Sequence, residues 1–183
     1  MTPFHLIPEA LSPDECDRLI ALCKAGPMKD AGLVRQTTAH QIRRAELSWL
    51  DDLPEAAWVM ERMTRLIAQA NREAFGFDLT DFLESPQVAR YGAEREGHFD
   101  WHSDIGSGPA AARRKLTIVV QLSTPTDYDG GVLELRPDSN IRQVEKARGT
   151  AVLFPSFVLH RVTPVTRGTR WSLTLWTHGP AFR

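Results

Sequence analysis

The stretch from residue 149 to residue 179 reads GTAVLFPSFVLHRVTPVTRGTRWSLTLWTHG. It holds three short apolar or alternating runs, TAVLFP, VLHRVTPV and RWSLTLWT, separated by proline, glycine and serine, which is typical of β-strands. Four similar runs precede it from residue 86 onward: PQVARY, GHFDWHSD, RKLTIVVQLS and GVLELR. Many short strands without helices between them predict an antiparallel barrel or a double-sheet jelly roll, and not a parallel α/β sheet.

The N-terminal half carries two helix signals. Ser12-Pro13-Asp14-Glu15 combines a capping residue, a proline at the first helical position and a glutamate three residues after the cap, which predicts a helix over 13–25. A second helix begins near Leu53-Pro54-Glu55 and is closed by Phe75-Gly76. We expect both helices to cover one sheet face of a single domain over 1–183, with a helical part over about 1–85 and a β core over about 86–178.

Composition excludes several classes of partner. The 183 residues carry a net charge of −1, so no overall field attracts nucleic acid or an anionic membrane. Neither a long apolar run nor a basic, apolar N-terminal leader is evident, which favours a cytoplasmic protein. Cys16 and Cys23, seven residues apart in the first predicted helix, are expected to be buried free thiols.

Two overlapping His-x-Asp matches lie in one predicted strand, His98-Phe99-Asp100 and His102-Ser103-Asp104. Side chains at i and i+2 of a strand share a face, so all four polar side chains are expected on one strand face and either pair could supply two metal ligands. The motif alone is weak, because six His and the twelve Asp in this chain give about 0.4 matches by chance. We choose His102 and Asp104 because the glycine-containing loop 105–109 follows at once and leaves that strand end open to substrate.

His160 completes a two-histidine, one-carboxylate set of the kind that holds non-haem iron(II) with open coordination positions. The side chains of His98 and Asp100 would then lie deeper or at the pocket wall. They are either a satisfied polar pair or substrate contacts, and both interpretations stay open.

Arg170 follows His160 by ten residues, enough for a hairpin return after a turn at Thr166-Arg167-Gly168. Its guanidinium would come back beside the metal and bind a carboxylate through two parallel hydrogen bonds, with Ser172 as a further donor. Strand parity predicts two pocket-lining faces: Thr117, Val119 and Gln121 on one strand, and Arg170, Ser172, Thr174 and Trp176 on another. For Trp176, core packing and substrate contact are equally compatible with this position.

The series of motifs resembles the prolyl-4-hydroxylase-like branch of the iron(II)/2-oxoglutarate-dependent dioxygenases, including the PKHD-type hydroxylases. The resemblance extends from Tyr91 to Trp176. In order, its motifs are Tyr91-Gly92, His102-x-Asp104, Leu116-Thr117, Gln121-Leu122-Ser123, Tyr128-Asp129-Gly130-Gly131, Phe154-Pro155-Ser156, His160 to Val165, and Gly168-Thr169-Arg170. It implies a double-stranded β-helix, that is, a cupin-like jelly roll, with iron at one mouth.

The resemblance also implies roles for individual residues. Arg170 would hold the far carboxylate of 2-oxoglutarate and Tyr91 would reach the same molecule. Gln121 stands where many relatives carry a tyrosine, so any hydrogen bond from this position to the cosubstrate would come from an amide. Together with Ser172 and Thr117, these residues form the expected cosubstrate site.

The implied activity is hydroxylation of a C–H bond in a prolyl residue or an amino-acid-like substrate. Iron(II), 2-oxoglutarate and O₂ would be required, ascorbate would be an optional reductant, and succinate and CO₂ would be released. A small-metabolite hydroxylase with the same mechanism and a non-oxidative cupin-like metal-binding or ligand-binding protein are the alternatives. His98, Asp100, Trp176 and Arg43 are candidate substrate contacts, and Arg35, Arg43 and Arg44 either meet an acidic substrate group or form a solvated face.

Overall fold

The computed structural model describes residues 3–31 and 42–182, so Arg35 lies outside the described residues. Its α-helices are α1 (Pro13–Ala25) and α2 (Trp58–Ala70). Its strands, in chain order, are β1 (His5–Ile7), β2 (Lys29–Asp30), β3 (Arg43–Arg44), β4 (Glu46–Trp49), β5 (Gln87–Gly92), β6 (His98–His102), β7 (Arg114–Gln121), β8 (Tyr128–Gly130), β9 (Leu133–Arg136), β10 (Arg142–Gln143), β11 (Ala151–Pro155), β12 (Leu159–Val162) and β13 (Val165–His178).

The first helix has the predicted bounds. The Ser12 hydroxyl accepts a hydrogen bond from the Glu15 N–H at 3.1 Å, and the Glu15 carboxylate accepts one from the Ser12 N–H at 2.9 Å. This reciprocal pair satisfies two backbone donors that the first helical turn leaves without partners.

The second predicted helix is divided into three parts. A 3-10 turn over Pro54–Ala56 precedes α2, and a π-helical turn over Asn71–Phe75 follows it. The chain then leaves the helix at Gly76, whose φ of 65° suits a residue without a Cβ atom.

The strands form two antiparallel sheets, which confirms the predicted mainly β jelly-roll architecture. The large sheet has the order β1-β11-β7-β13-β5-β4-β2, with β8 added beside β13, and the small sheet has the order β10-β9-β12-β6-β3. Both helices pack on one face of the large sheet, as predicted, where Leu19 of α1 and Met63 of α2 meet Ile118 and Leu173. The opposite face meets the small sheet through a second core that includes Tyr91, Leu135 and Phe154.

The predicted hairpin between His160 and Arg170 is wrong. Thr166, Arg167 and Gly168 lie within β13 and form no turn, because the chain crosses from the small sheet to the large sheet at Thr163 and Pro164. Arg170 therefore approaches His160 from the opposing sheet. The ten-residue spacing still brings both side chains to one cavity.

The N-terminal half contributes more β structure than its sequence indicated. Strand β4 extends the large sheet beside β5, and β3 pairs with β6 at the edge of the small sheet.

Cys16 and Cys23 are buried free thiols, as predicted, and burial raises the pKa of each. Within the described residues, neither helix has the length and apolar character needed to cross a membrane.

Candidate metal centre

Three possible metal ligands converge between the two sheets. His102 ends β6 and is the direct cross-strand partner of His160 in β12, and Asp104 lies two residues past β6. The Asp104 carboxylate oxygens lie 3.6 Å from His102 Nε2 and 3.5 Å from His160 Nε2. One ligand atom from each residue falls within 4.8 Å of the others, a spacing that a single metal ion can bridge.

Both imidazole rings are oriented by backbone carbonyls. His102 Nδ1 lies 2.7 Å from the Asp100 carbonyl oxygen, and His160 Nδ1 lies 2.9 Å from the Val158 carbonyl oxygen. A proton on each Nδ1 leaves the Nε2 lone pair directed at Asp104. Burial lowers the pKa of His160 and so favours the neutral form of the ring, which is the form that binds a metal.

The Asp104 carboxylate is buried and held in place. Burial alone would raise its pKa, but the neighbouring His160 and His102 hold the pKa well below its usual range. The Thr117 hydroxyl donates to Asp104 Oδ2 at 2.7 Å and lies 3.0 Å from the Ser156 hydroxyl. The backbone N–H of Asp104 donates to the Ser156 carbonyl at 2.9 Å. The carboxylate is thus ionised and oriented before any metal binds.

The expectation that His98, Asp100, His102 and Asp104 share one strand face is wrong. His160 pairs with His102 while Val162 pairs with Phe99, so β6 contains one extra residue between these pairs. This β-bulge brings the Phe99 side chain into the cavity, where its ring stacks on His102 at 3.5 Å between centroids. His98 and Asp100 are not among the described residues that line the cavity, and Asp100 is exposed.

A second group of polar side chains surrounds Arg170, which is 1% exposed. Its Nη1 donates to the Ser172 hydroxyl at 3.2 Å, and its Nη2 donates to Gln121 Oε1 at 2.9 Å. Its Nε is buried without an acceptor, and no carboxylate within the described residues pairs with the guanidinium. Because an unpaired buried charge is unfavourable, the site fits an incoming carboxylate, such as that of 2-oxoglutarate.

The remaining predicted cosubstrate residues lie at different positions relative to Arg170 and the cavity. Tyr91 is the cross-strand neighbour of Arg170 and lines the same cavity. Gln121 lies behind Arg170 and binds it, so its amide orients the arginine and does not line the cavity. Tyr128, for which the sequence predicts no role, is buried against Arg170, and burial raises its pKa.

The cavity that contains both groups lies between the sheets. Its lining includes the three possible metal ligands, Arg170, Tyr91, Ser172 and Thr117, and the side chains of Arg43, Gln87, Phe99, Val119, Leu133, Val162, Thr174 and Trp176. The predicted pocket faces of β7 and β13 are therefore confirmed except at Gln121. Of the four candidate substrate contacts, Trp176 and Arg43 line the cavity.

A partly buried ionic network supports the far side of Asp104. Arg114 binds Glu84 through Nε, at 2.6 Å, and through Nη2, and its Nη1 donates to the Asp104 carbonyl at 2.9 Å. His178, which is fully buried, accepts a hydrogen bond from the Leu83 N–H at Nδ1 and contacts Glu84 through Nε2 at 3.0 Å. The Arg114 guanidinium also covers the Trp176 ring at 3.9 Å. No sequence motif predicts this network, since its members are distant in the chain.

Comparison with known proteins assigns this geometry to a class. Residues 86–178 match the family model of the 2OG-Fe(II) oxygenase superfamily, and the chain belongs to that superfamily. A PKHD-type hydroxylase from Delftia acidovorans is 31% identical over 177 residues, covering 94% of this chain and 76% of that protein. A PKHD-type hydroxylase from Pseudomonas aeruginosa is 40% identical over 86 residues, covering 44% of this chain and only 38% of the relative's length.

A solved structure of a Pseudomonas putida prolyl-4-hydroxylase has a TM-score of 0.76 and 28% sequence identity, and the match covers 97% of this chain and 93% of that one. The protein is accordingly a 2OG-Fe(II) oxygenase whose fold is similar to that of this prolyl-4-hydroxylase. This class uses iron(II), 2-oxoglutarate and O₂. The donor set at Asp104 and the unpaired guanidinium of Arg170 fit the metal and the cosubstrate respectively.

Replacing Thr117 by valine should weaken metal binding by about 10-fold, because the isosteric change removes the donor that orients Asp104. Calorimetric titration with Mn(II) measures the effect. Thr177→Val is the matched control, since its buried hydroxyl on β13 has no partner within the described residues. Equal metal affinities of the two variants would contradict this role for Thr117.

Replacing Glu84 by glutamine should lower the free energy of unfolding at pH 7 by about 1–2 kcal/mol. Burial opposes ionisation of Glu84, but Arg114 and His178 lower its pKa below the ordinary value of 4.5. A lowered folded-state pKa contributes stability above the unfolded-state pKa, and the contribution is lost as the pH falls through the folded-state value. The difference between wild type and variant in urea denaturation should therefore shrink below about pH 4.5. A difference independent of pH would contradict this account.

Proposed function

We propose that His102, Asp104 and His160 bind iron(II), that Arg170 binds the distal carboxylate of 2-oxoglutarate, and that the enzyme hydroxylates a C–H bond of a prolyl residue or an amino-acid-like substrate. The observation that carries this proposal is one cavity lined both by the metal-binding triad and by a buried guanidinium without a carboxylate partner among the described residues. A metal-binding protein without a cosubstrate would not need the second feature.

When bound, iron(II) and 2-oxoglutarate together reduce O₂ to an oxidant that hydroxylates a C–H bond, with release of succinate and CO₂. The residues of the chain contribute position and environment. Thr117 and the two backbone carbonyls fix the directions of the metal ligands. Ser172 and Gln121 hold the Arg170 guanidinium, and Val119, Leu133 and Val162 give the cavity an apolar wall that limits water.

The proposed substrate class rests on the relatives, which are named as PKHD-type hydroxylases and a prolyl-4-hydroxylase. The protein should be purified without oxygen and supplied with iron(II), 2-oxoglutarate and O₂. Succinate release and substrate mass would then be followed across proline peptides and free amino acids. We expect stoichiometric succinate release and a mass increase of one oxygen atom with a prolyl or amino-acid-like compound. Absence of 2-oxoglutarate turnover with every compound would contradict the proposed activity.

A further inference from the structure

The cavity at the metal centre opens into an outer cleft of about 580 Å³. The two spaces share the walls formed by Arg43, Gln87, Phe99, His102, Asp104 and Trp176. Leu47, Trp49 and Arg114 extend the cleft away from the metal ligands. A substrate lying in this cleft would therefore contact the shared walls and present a bond toward His102 and Asp104.

Among the described residues, two arginines line the cleft, and their charges are balanced differently. Arg114 is neutralised by its two hydrogen bonds to Glu84. Arg43 lies over the Phe99 ring at 4.4 Å, its Nε is buried without an acceptor, and no carboxylate within the described residues pairs with it. The aromatic contact accounts for the position of the guanidinium but leaves its hydrogen-bond donors available.

Binding of iron(II) and 2-oxoglutarate at the metal centre does not supply an anionic partner for Arg43. The charges of iron(II), the Asp104 carboxylate, the 2-oxoglutarate dianion and the Arg170 guanidinium cancel. Arg43 is left as an uncompensated cation beside the remaining open space. Because a partly buried cation is stabilised by an anion with matching geometry, the cleft favours a substrate with a carboxylate.

We propose that Arg43 binds a carboxylate of the substrate, adjacent to the carbon that is oxidised, and so selects a free amino acid or a chain-terminal residue over an internal one. This inference rests on the proposed function. Phe99, Trp49 and Trp176 supply an aromatic wall for the apolar part of such a substrate. The Gln87 side-chain oxygen is buried without a partner among the described residues and lies on the shared wall, where it accepts a hydrogen bond from the substrate amine or amide.

The test compares acids with their amides. L-proline and the peptide Gly-Ala-Pro, each with a free carboxylate, are paired with L-prolinamide and Gly-Ala-Pro-amide, and an N-acetylated peptide with an internal proline is the fifth compound. Binding is measured by calorimetry to enzyme loaded with Mn(II) and 2-oxoglutarate without O₂, and succinate release is measured separately with iron(II). Comparison of L-proline with Gly-Ala-Pro distinguishes a free amino acid from a chain-terminal residue as the source of the carboxylate.

We expect an acid to bind at least about 10-fold more tightly than its amide, and Arg43→Gln to remove most of that preference by weakening acid binding about 10- to 100-fold. Arg43→Lys should restore part of it, since it keeps the charge but not the planar fork. Arg44→Gln is the matched control, because Arg44 is the next residue of β3, pairs with Glu96 at 3.0 Å and lines neither space.

Three results would overturn the proposal: equal binding of acids and amides, no binding of any of the acids, or equal effects of Arg43→Gln and Arg44→Gln. Failure of the proposed function has a different signature. In that case 2-oxoglutarate is not consumed with any compound in the iron(II) assay, whatever the calorimetric preference for acids.

Discussion

Asp104→Ala is expected to abolish metal-dependent succinate release, with a loss of at least about 1,000-fold, whereas Asp100→Ala retains it. The two aspartates belong to overlapping His-x-Asp motifs and differ in position. The Asp104 carboxylate lies 3.5–3.6 Å from both histidine Nε2 atoms, while Asp100 is exposed and its side chain accepts from the Trp101 N–H at 2.7 Å. Only Asp104 has the geometry of a ligand.

The measurement pairs turnover with Mn(II) binding by calorimetry, and circular dichroism verifies that each variant is folded. The backbone carbonyl of Asp100, which orients His102, is unaffected by the change to alanine. Loss of metal binding in Asp100→Ala with retention in Asp104→Ala would reverse the assignment of the ligand pair.

Arg170→Gln is expected to raise the concentration of 2-oxoglutarate needed for half-maximal turnover by about 100-fold while leaving Mn(II) affinity within about 2-fold. The arginine is the cation at the inner end of the cavity, and glutamine cannot form the paired, charged hydrogen bonds that a carboxylate accepts from a guanidinium. Arg170→Lys should recover part of the affinity because it keeps the charge.

The comparison with Arg167→Gln isolates the effect of position. Arg167 lies on the same strand but is exposed and paired with Asp129 at 2.7 Å. An unchanged 2-oxoglutarate requirement in Arg170→Gln, or an equal change in Arg167→Gln, would contradict the proposed anchor.

Local signals in the sequence predicted much of the fold. Ser12 and Glu15 determine the start of α1 through contacts only three residues apart. The alternating pattern of β13 places Arg170, Ser172, Thr174 and Trp176 on the cavity face, as parity predicted.

Features that depend on pairing between distant segments could not be predicted in this way. The bulge in β6 changes which side chains face the cavity, and it lies in the pairing of β6 with β12. The chain crosses between the sheets at Thr163 and Pro164 and forms no hairpin there, because β12 pairs within the small sheet and β13 pairs within the large sheet.

The candidate site likewise combines features that the local sequence predicts with features that depend on distant segments of the chain. The proposed ligands His102 and Asp104 are close in sequence, so their spacing and the following loop predict that pair, and the structure places both beside His160. The ionic network around Arg114 joins Glu84 to His178, residues 94 positions apart, and neither belongs to a motif. Gln121 was expected to reach the cosubstrate, but the structure places it behind Arg170, a relation that only the approach of β7 to β13 creates.

We propose that one cavity holds iron(II) on His102, Asp104 and His160 and holds 2-oxoglutarate on Arg170. Anaerobic addition of iron(II) and then 2-oxoglutarate, monitored by visible absorption spectroscopy, tests it most directly, because chelation of iron(II) by 2-oxoglutarate produces a charge-transfer band. We predict a band that saturates at one iron per chain, is absent in Asp104→Ala and needs far more 2-oxoglutarate in Arg170→Gln. Absence of the band in the wild-type protein, or an undiminished band in Asp104→Ala, would contradict the account.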